Sequence, residues 1–327
     1  MYLLKFCYFI IGFISRMIFG LRSTQEKGVQ FLKGIEVKFN GKFTNNTFKK
    51  IIRFQSLQQL IINDGFLKLE GRFSNENEKN NNKTYFILAS LYDDLIDDQI
   101  LSKEILDDMF LHPEKFKPTT FNESVLMDAH LKLLNSVKDK IEYQNILNQI
   151  QQAQTDSTLQ VNEKIPLSTI LSITKRKGGY SLLMCRHYLE TSSSDIIDQC
   201  WYHLGGLIQM TNDLYDIYKD THEGIQTFAN TQNTIIDIER VYNEQLKLFI
   251  KSIEILPYAH LKMTRLRIIL SLIPAFGYLA LENLRKLQGD NDHLLPFKDY
   301  ERKDLIIDME KFKNVIKLFK YSYQLAK

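Results

Sequence analysis

The chain has 327 residues, enough for one large domain or two average ones, and its nearly balanced net charge of +3 by itself argues neither for nor against nucleic acid, although no nucleic-acid partner is expected. Its 14 Gly and 6 Pro make up about 6% of the residues, against roughly 12% in average proteins, and so few breakers favour long helices over many strands and turns. Cys7, Cys185 and Cys200 form no pairable framework and read as buried thiols, and the seven histidines show no zinc-binding spacing.

Residues 1–25 form an apolar N-terminal helix, and residues 26–327 are read as one all-helical domain. Lys5 and Arg16 confine the uncharged run to residues 6–15, about half of what a membrane span needs. A core helix, a helix lying on a membrane surface and a signal sequence remain open for it. Segment 72–83, RFSNENEKNNNK, is polar and low in complexity and is expected to be an exposed loop. TYFILASLYDDLIDDQI then runs from apolar into acid as a helix. Further helices are expected over 123–152, 167–190 with an interruption at Gly178-Gly179, 195–220, 231–255, 258–287 and 300–325. QTDSTLQVNEKIP and QGDNDHLLP read as connections, and Pro166 suits the first turn of the helix it precedes.

Two acidic segments carry the chemistry. In Asp93-Asp94-Leu95-Ile96-Asp97-Asp98, residues four apart share a helix face, so Asp93 neighbours Asp97 and Asp94 neighbours Asp98. Like charges so placed repel unless a cation sits among them. The preceding turns are apolar all round, so these acids continue a buried helix and need a partner. In the second segment Asn212, Asp216 and Asp220 recur every four residues as one oxygen-bearing stripe, with Lys219 beside it. Hard oxygen ligands of this kind suit magnesium. Trp201, Leu204, Gly205 and Ile208 lie one to three turns earlier and read as a pocket wall. Lys175, Arg176 and Lys177 precede the glycine pair and read as a phosphate clamp at a helix break. Two acidic stripes and a basic cluster call for a polyanion bridged by metal. No Walker loop, kinase signature or Rossmann fingerprint is present, so a nucleotide is disfavoured.

On these residues the chain resembles the class I isoprenoid synthases. Asp93-Asp94-Leu95-Ile96-Asp97 resembles their DDxxD motif. Residues 212–220 resemble the terpene-cyclase metal motif NDxxSxxxKE, with Asp216 in place of Ser and Asp220 in place of Glu. QMTNDLYDIYKD is also similar to the QxTNxxRDxxxD element of squalene and phytoene synthases. The resemblance covers about residues 85–230 and implies a single bundle of antiparallel helices around a deep apolar cavity. It further implies three magnesium ions held by Asp93, Asp94, Asp97 and Asp98 on one side and by Asn212, Asp216 and Asp220 on the other. Asp94, Asn212 and Asp216 would be central to catalysis. Lys175, Arg176, Lys177 and Lys219 would bind diphosphate, and Lys320-Tyr321 stands where many cyclases carry an Arg-Tyr pair. Phe86, Tyr92, Trp201, Gly205 and Ile208 would line the pocket, with Tyr85, Tyr202 and Phe276 as further aromatic faces for a carbocation.

The expected activity is ionisation of an allylic prenyl diphosphate followed by cyclisation, as in a terpene synthase. Asn212 where chain-elongating enzymes carry Asp disfavours elongation. Head-to-head condensation of two prenyl diphosphates and a non-catalytic prenyl-lipid-binding protein stay open as alternatives. A cytoplasmic location is expected, and the reading leaves room for a peripheral membrane contact and a homodimer.

Overall fold

The computed structural model describes residues 2–97, 103–161, 165–191 and 194–327. It is all-α: 79% of it is helical, with no strand among the described residues. In chain order the helices are α1 (Tyr2–Lys38), α2 (Asn45–Leu57), a π-helical turn (Gln58–Asn63), α3 (Asp64–Leu67), α4 (Glu76–Asp97), α5 (Lys103–Leu111), α6 (Phe121–Ser136) and α7 (Lys140–Ser157). They continue as α8 (Leu167–His187), α9 (Asp195–Tyr215), α10 (Ile217–His222), α11 (Ile235–Glu254), α12 (His260–Leu270), α13 (Leu272–Gln288), α14 (Arg302–Leu305) and α15 (Phe312–Ala326). Hydroxyl caps set many of the starts. Thr44, Thr120, Ser194 and Thr234 each accept from the backbone N–H three residues on.

The chain falls into two compact units. The first comprises the described residues of Ile10–Asn145 and Met184–Ser192. In it α4 packs between α2 and α6, burying Ile51, Ile87, Leu91, Leu95 and Leu126. The second comprises the described residues of Met1–Phe9, Ile146–Leu183 and Ser193–Lys327. Its central helix α9, with Trp201, Leu204 and Leu207 buried, packs on α11 and α13, and α13 carries α15.

Several expected boundaries are corrected. Segment 72–83 is not an exposed loop: α4 begins at Glu76, and Glu78, Asn81, Asn82 and Lys83 are buried. Glu78 receives a two-pronged bond from Arg72 (2.8 and 2.9 Å) and accepts from the Asn75 and Glu190 amides. Asn82 donates to the Gln55 carbonyl and accepts from Asn63 and Tyr188. Polar residues thus fill the interior because their partners are supplied from elsewhere in the first unit. The expected helix 123–152 divides at Val137, whose extended backbone precedes an Asp139 side chain capping α7. The expected helix 258–287 divides at Ser271, three residues before Pro274, whose missing N–H cannot continue the ladder. Between α14 and α15 the chain is non-helical, and Asn314 donates back to the Asp308 carbonyl. Cys7 is exposed rather than buried, whereas Cys185 and Cys200 are buried as expected.

The expected interruption of α8 at Gly178-Gly179 does not occur; the helix runs unbroken to His187. These glycines permit a close helix crossing instead. A Cβ on Gly178 would lie 2.3 Å from the Gly205 carbonyl oxygen, and one on Gly205 would lie 2.2 Å from that of Gly178. A Cβ on Gly179 would strike the Tyr202 ring at 2.5 Å. Within the second unit α8 and α9 therefore meet backbone to backbone.

Two helical stretches are long and apolar enough to cross a membrane by length and composition, Tyr2–Lys38 and His260–Gln288. The first is 11% buried over its most apolar window and the second 67%. The second is therefore core material, whereas much of α1 is uncovered.

Candidate functional site

The first acidic segment ends α4. Asp93 and Asp94 occupy its last turn, where the helix dipole disfavours negative charge. In the first unit α2 supplies the compensation. Lys50 Nζ lies 3.2 Å from Asp93 and 3.7 Å from Asp94, and Thr47 Oγ1 donates to Asp94 at 2.6 Å. Lys50 and Thr47 escaped the sequence reading because they lie more than forty residues from the acids they serve. Asp97 is the last residue of α4, and Asp98 lies outside the described residues.

The second acidic segment lies in the second unit, where α9 ends and α10 begins. Asp216 is the hinge between them, at φ −97° and ψ 7°. The four-residue ladder nonetheless continues through it: the Asp216 amide donates to the Asn212 carbonyl (2.9 Å) and the Asp220 amide to the Asp216 carbonyl (2.8 Å). Asn212 and Asp216 are exposed, while Asp220 is buried. Asp213, not singled out from the sequence, is also buried. It accepts from Gln209 Nε2 at 3.0 Å and from Thr174 Oγ1 of α8 at 3.4 Å. Gln209 and Asp213 are four residues apart, a spacing that would have exposed the pair in sequence. Burial pushes the Asp213 carboxyl up to about 7, only partly offset by the Gln209 bond, the Lys177 charge and the Thr174 bond. Burial likewise pushes Asp220 up to about 7, reinforced by the charges of Asp213 and Asp216. Lys219 is exposed, 3.8 Å from Glu223.

The basic cluster is not convergent. Successive residues on a helix point about 100° apart. Lys177 bears on Asp213, Arg176 pairs with Asp156 at 2.6 Å, and Lys175 acts on His203. Lys177 is thus the member of the cluster that faces the acidic segment.

The expected pocket residues distribute as follows. In the first unit Tyr92 is buried 5.8 Å from the Phe110 ring, and Phe86 packs edge-on to Tyr85 at 5.4 Å. In the second unit Trp201 is fully buried, Ile208 is half-buried, and the face of Gly205 is covered by the backbone of α8. There Tyr202 packs on Tyr180 at 5.0 Å and Phe276 on Tyr215 at 6.3 Å. Tyr321 donates to Glu282, whose carboxyl, raised by burial, is brought down to about 2 by bonds from Lys286, Lys317 and Tyr321. Two cavities of the first unit, of about 640 and 320 Å³, lie beside α1 and contain none of these residues.

Among the described residues no three His, Cys, Asp or Glu side chains converge closely enough to hold a metal ion by themselves. The donor chemistry of the second segment does fit a hard dication that keeps much of its water shell. Asp213 and Asp220 are buried, the charges of Asp213 and Asp216 act on Asp220, and Lys177 and Lys219 act on Asp213 and Asp220 respectively. No protein family, no curated protein and no solved structure matches the chain.

Proposed function

We propose that the chain is a magnesium-dependent enzyme of the terpene-synthase type, which ionises an allylic prenyl diphosphate and lets the carbocation cyclise or rearrange. The observation that carries the reading is the carboxylate cluster at the α9–α10 junction. Burying Asp213 and Asp220 beside Asp216 is unfavourable in the free protein, and cation binding would relieve it. Magnesium bound there would act as a Lewis acid toward the departing diphosphate. Asn212, Asp216 and Asp220 would hold it, and Asp93, Asp94, Asp97 and Asp98 are proposed as magnesium ligands within their own unit.

The chain's own residues then do the following. Gln209 and Thr174 fix the Asp213 carboxylate. Lys177 and Lys219 place positive charge where diphosphate negative charge develops as the C1–O bond breaks and its electron pair leaves with the diphosphate. Aromatic faces of the same unit, such as Tyr202 and Phe276, would stabilise the remaining cation. A cytoplasmic enzyme working beside a membrane fits the apolar substrate and the uncovered α1.

Head-to-head condensation is the second reading, favoured by the likeness of QMTNDLYD to squalene and phytoene synthases. The deciding experiment supplies geranyl, farnesyl and geranylgeranyl diphosphate with magnesium and weighs the products by mass spectrometry, with and without NADPH. A product with its substrate's carbon count supports cyclisation, and a doubled count supports condensation. No diphosphate release from any of them would leave a prenyl-lipid-binding protein.

A further inference from the structure

Helix α1 wears its apolar side outward. Within the first unit Ile11, Ile18 and Phe19 are exposed, Ile18 by 66% and Phe19 by 77%, and no exposed position from 11 to 19 carries a charge. The charged Arg16 turns the other way, into an ion pair with the buried carboxylate of Asp64. A soluble amphipathic helix is arranged in the opposite sense.

Positions 11, 15, 18 and 22 follow one face at helical spacing. From Arg22 onward that face enters a groove of about 640 Å³ between α1 and α2. Arg22, Lys33, Lys49 and Arg53 line the groove around an apolar floor of Val29, Phe48 and Ile52, against a single acid, Glu26. An uncharged stripe about 12 Å long thus runs without interruption into a cluster of four cations.

We propose that this face is a membrane-docking surface: the stripe of α1 lies in the plane of an anionic bilayer, and the adjoining groove receives phosphate-bearing headgroups. Charge complementarity selects this occupant. An apolar stripe rimmed by cations matches the acyl–headgroup boundary of an acidic leaflet. A second copy docked face to face would set cations against cations. The opposite side of α1 in this unit is committed to the protein, since Ile10 is buried and Arg16 pairs with Asp64, so the helix lies on the bilayer and does not cross it.

The test uses the full chain with sedimented vesicles of phosphatidylcholine alone or mixed with phosphatidylserine, and no prenyl substrate, so it stands apart from the proposed reaction. The protein should sediment with the mixed vesicles, sediment poorly with the neutral ones, and be released by high salt. I18E/F19E should abolish binding. R22Q/K33Q/K49Q/R53Q should weaken it by about fivefold per cation removed. All these side chains are exposed or line an open groove, and circular dichroism reports that the variants fold. Three results would overturn the proposal: no binding to either vesicle, binding unchanged in the four-cation variant, or retention through both high-salt and alkaline washes, which would mean a spanning helix. A dimer in solution that I18E/F19E dissolves, with vesicles ignored, would assign the face to a second copy instead.

Discussion

Replacing Gly178 by alanine sets two effects of opposite sign against each other. In an exposed helix interior the change stabilises by about 1 kcal/mol, because alanine is the better helix former. At Gly178 the new Cβ would meet the Gly205 carbonyl oxygen at 2.3 Å and Gln209 Cβ at 2.6 Å, where ordinary contact begins near 3.4 Å. Both helices present backbone at this point, so no side chain can rotate away and α8 must retreat by about 1 Å. Overpacking of this kind costs about 1–3 kcal/mol and occasionally more. The net expectation is a loss of up to about 2 kcal/mol, or a fall in Tm of up to about 8 °C at roughly 2–4 °C per kcal/mol. Gly34→Ala is the control, since Gly34 lies in α1 with nothing within 4 Å of the added methyl, and it should gain what Gly178→Ala loses in sign. Thermal unfolding followed by circular dichroism reads both. Retreat of α8 also strains the 3.4 Å Thr174–Asp213 contact, so turnover should fall with the Tm in Gly178→Ala and hold in Gly34→Ala. Combined with Gly205→Ala the loss should be less than additive, because one separation relieves both clashes. A Tm that rises in Gly178→Ala as it does in Gly34→Ala would refute the backbone crossing.

Asp213→Asn, Asp94→Asn and Asn212→Ala should each lower turnover by about two orders of magnitude or more while leaving the metal-free Tm level or raised, and chelation followed by magnesium should abolish and restore wild-type activity; near-normal rates in all three variants would remove the metal assignment. Lys50→Gln leaves Asp93 and Asp94 without their resident cation, so the apo protein should melt lower and the rise in Tm on adding magnesium should grow. An unchanged magnesium response would show that these carboxylates take no ion. His130 is fully buried among Phe110 and Tyr143, and burial holds its pKa down to about 4. The unfolded chain therefore binds more protons between pH 6.5 and 4, and stability falls as pH drops through that window, by about 2 kcal/mol from pH 7.5 to 5. His187 is depressed in the same direction, so His130→Gln should flatten the urea-unfolding profile without levelling it; a profile as steep as the parent's would place the sensitivity elsewhere.

What the sequence made legible is what is local. Scarcity of Gly and Pro acts residue by residue, so the all-α class could be read directly. The four-residue recurrence of Asn212, Asp216 and Asp220 survives in the ladder because it depends only on neighbours one turn away. What was misread depends on partners distant in the chain. Glu78 looks like loop polarity until the Glu190 amide arrives, 112 residues later. Gly178 looks like a helix breaker until Gly205 supplies a backbone for it to touch. Asp93 and Asp94 look like an uncompensated acidic run until Lys50 is found on another helix. A polar or glycine residue has two uses, exposure or specific partnership, and composition cannot distinguish them, since the free energy that decides lies in the partner. The same reasoning separates the two acidic segments. The α4 acids already hold a lysine, so any added cation competes with Lys50 there. The α9–α10 acids bury two carboxyls, Asp213 and Asp220, on which Lys177 and the exposed Lys219 respectively act, so under the proposed function that segment has the most to gain from a dication, and the first magnesium should bind to it.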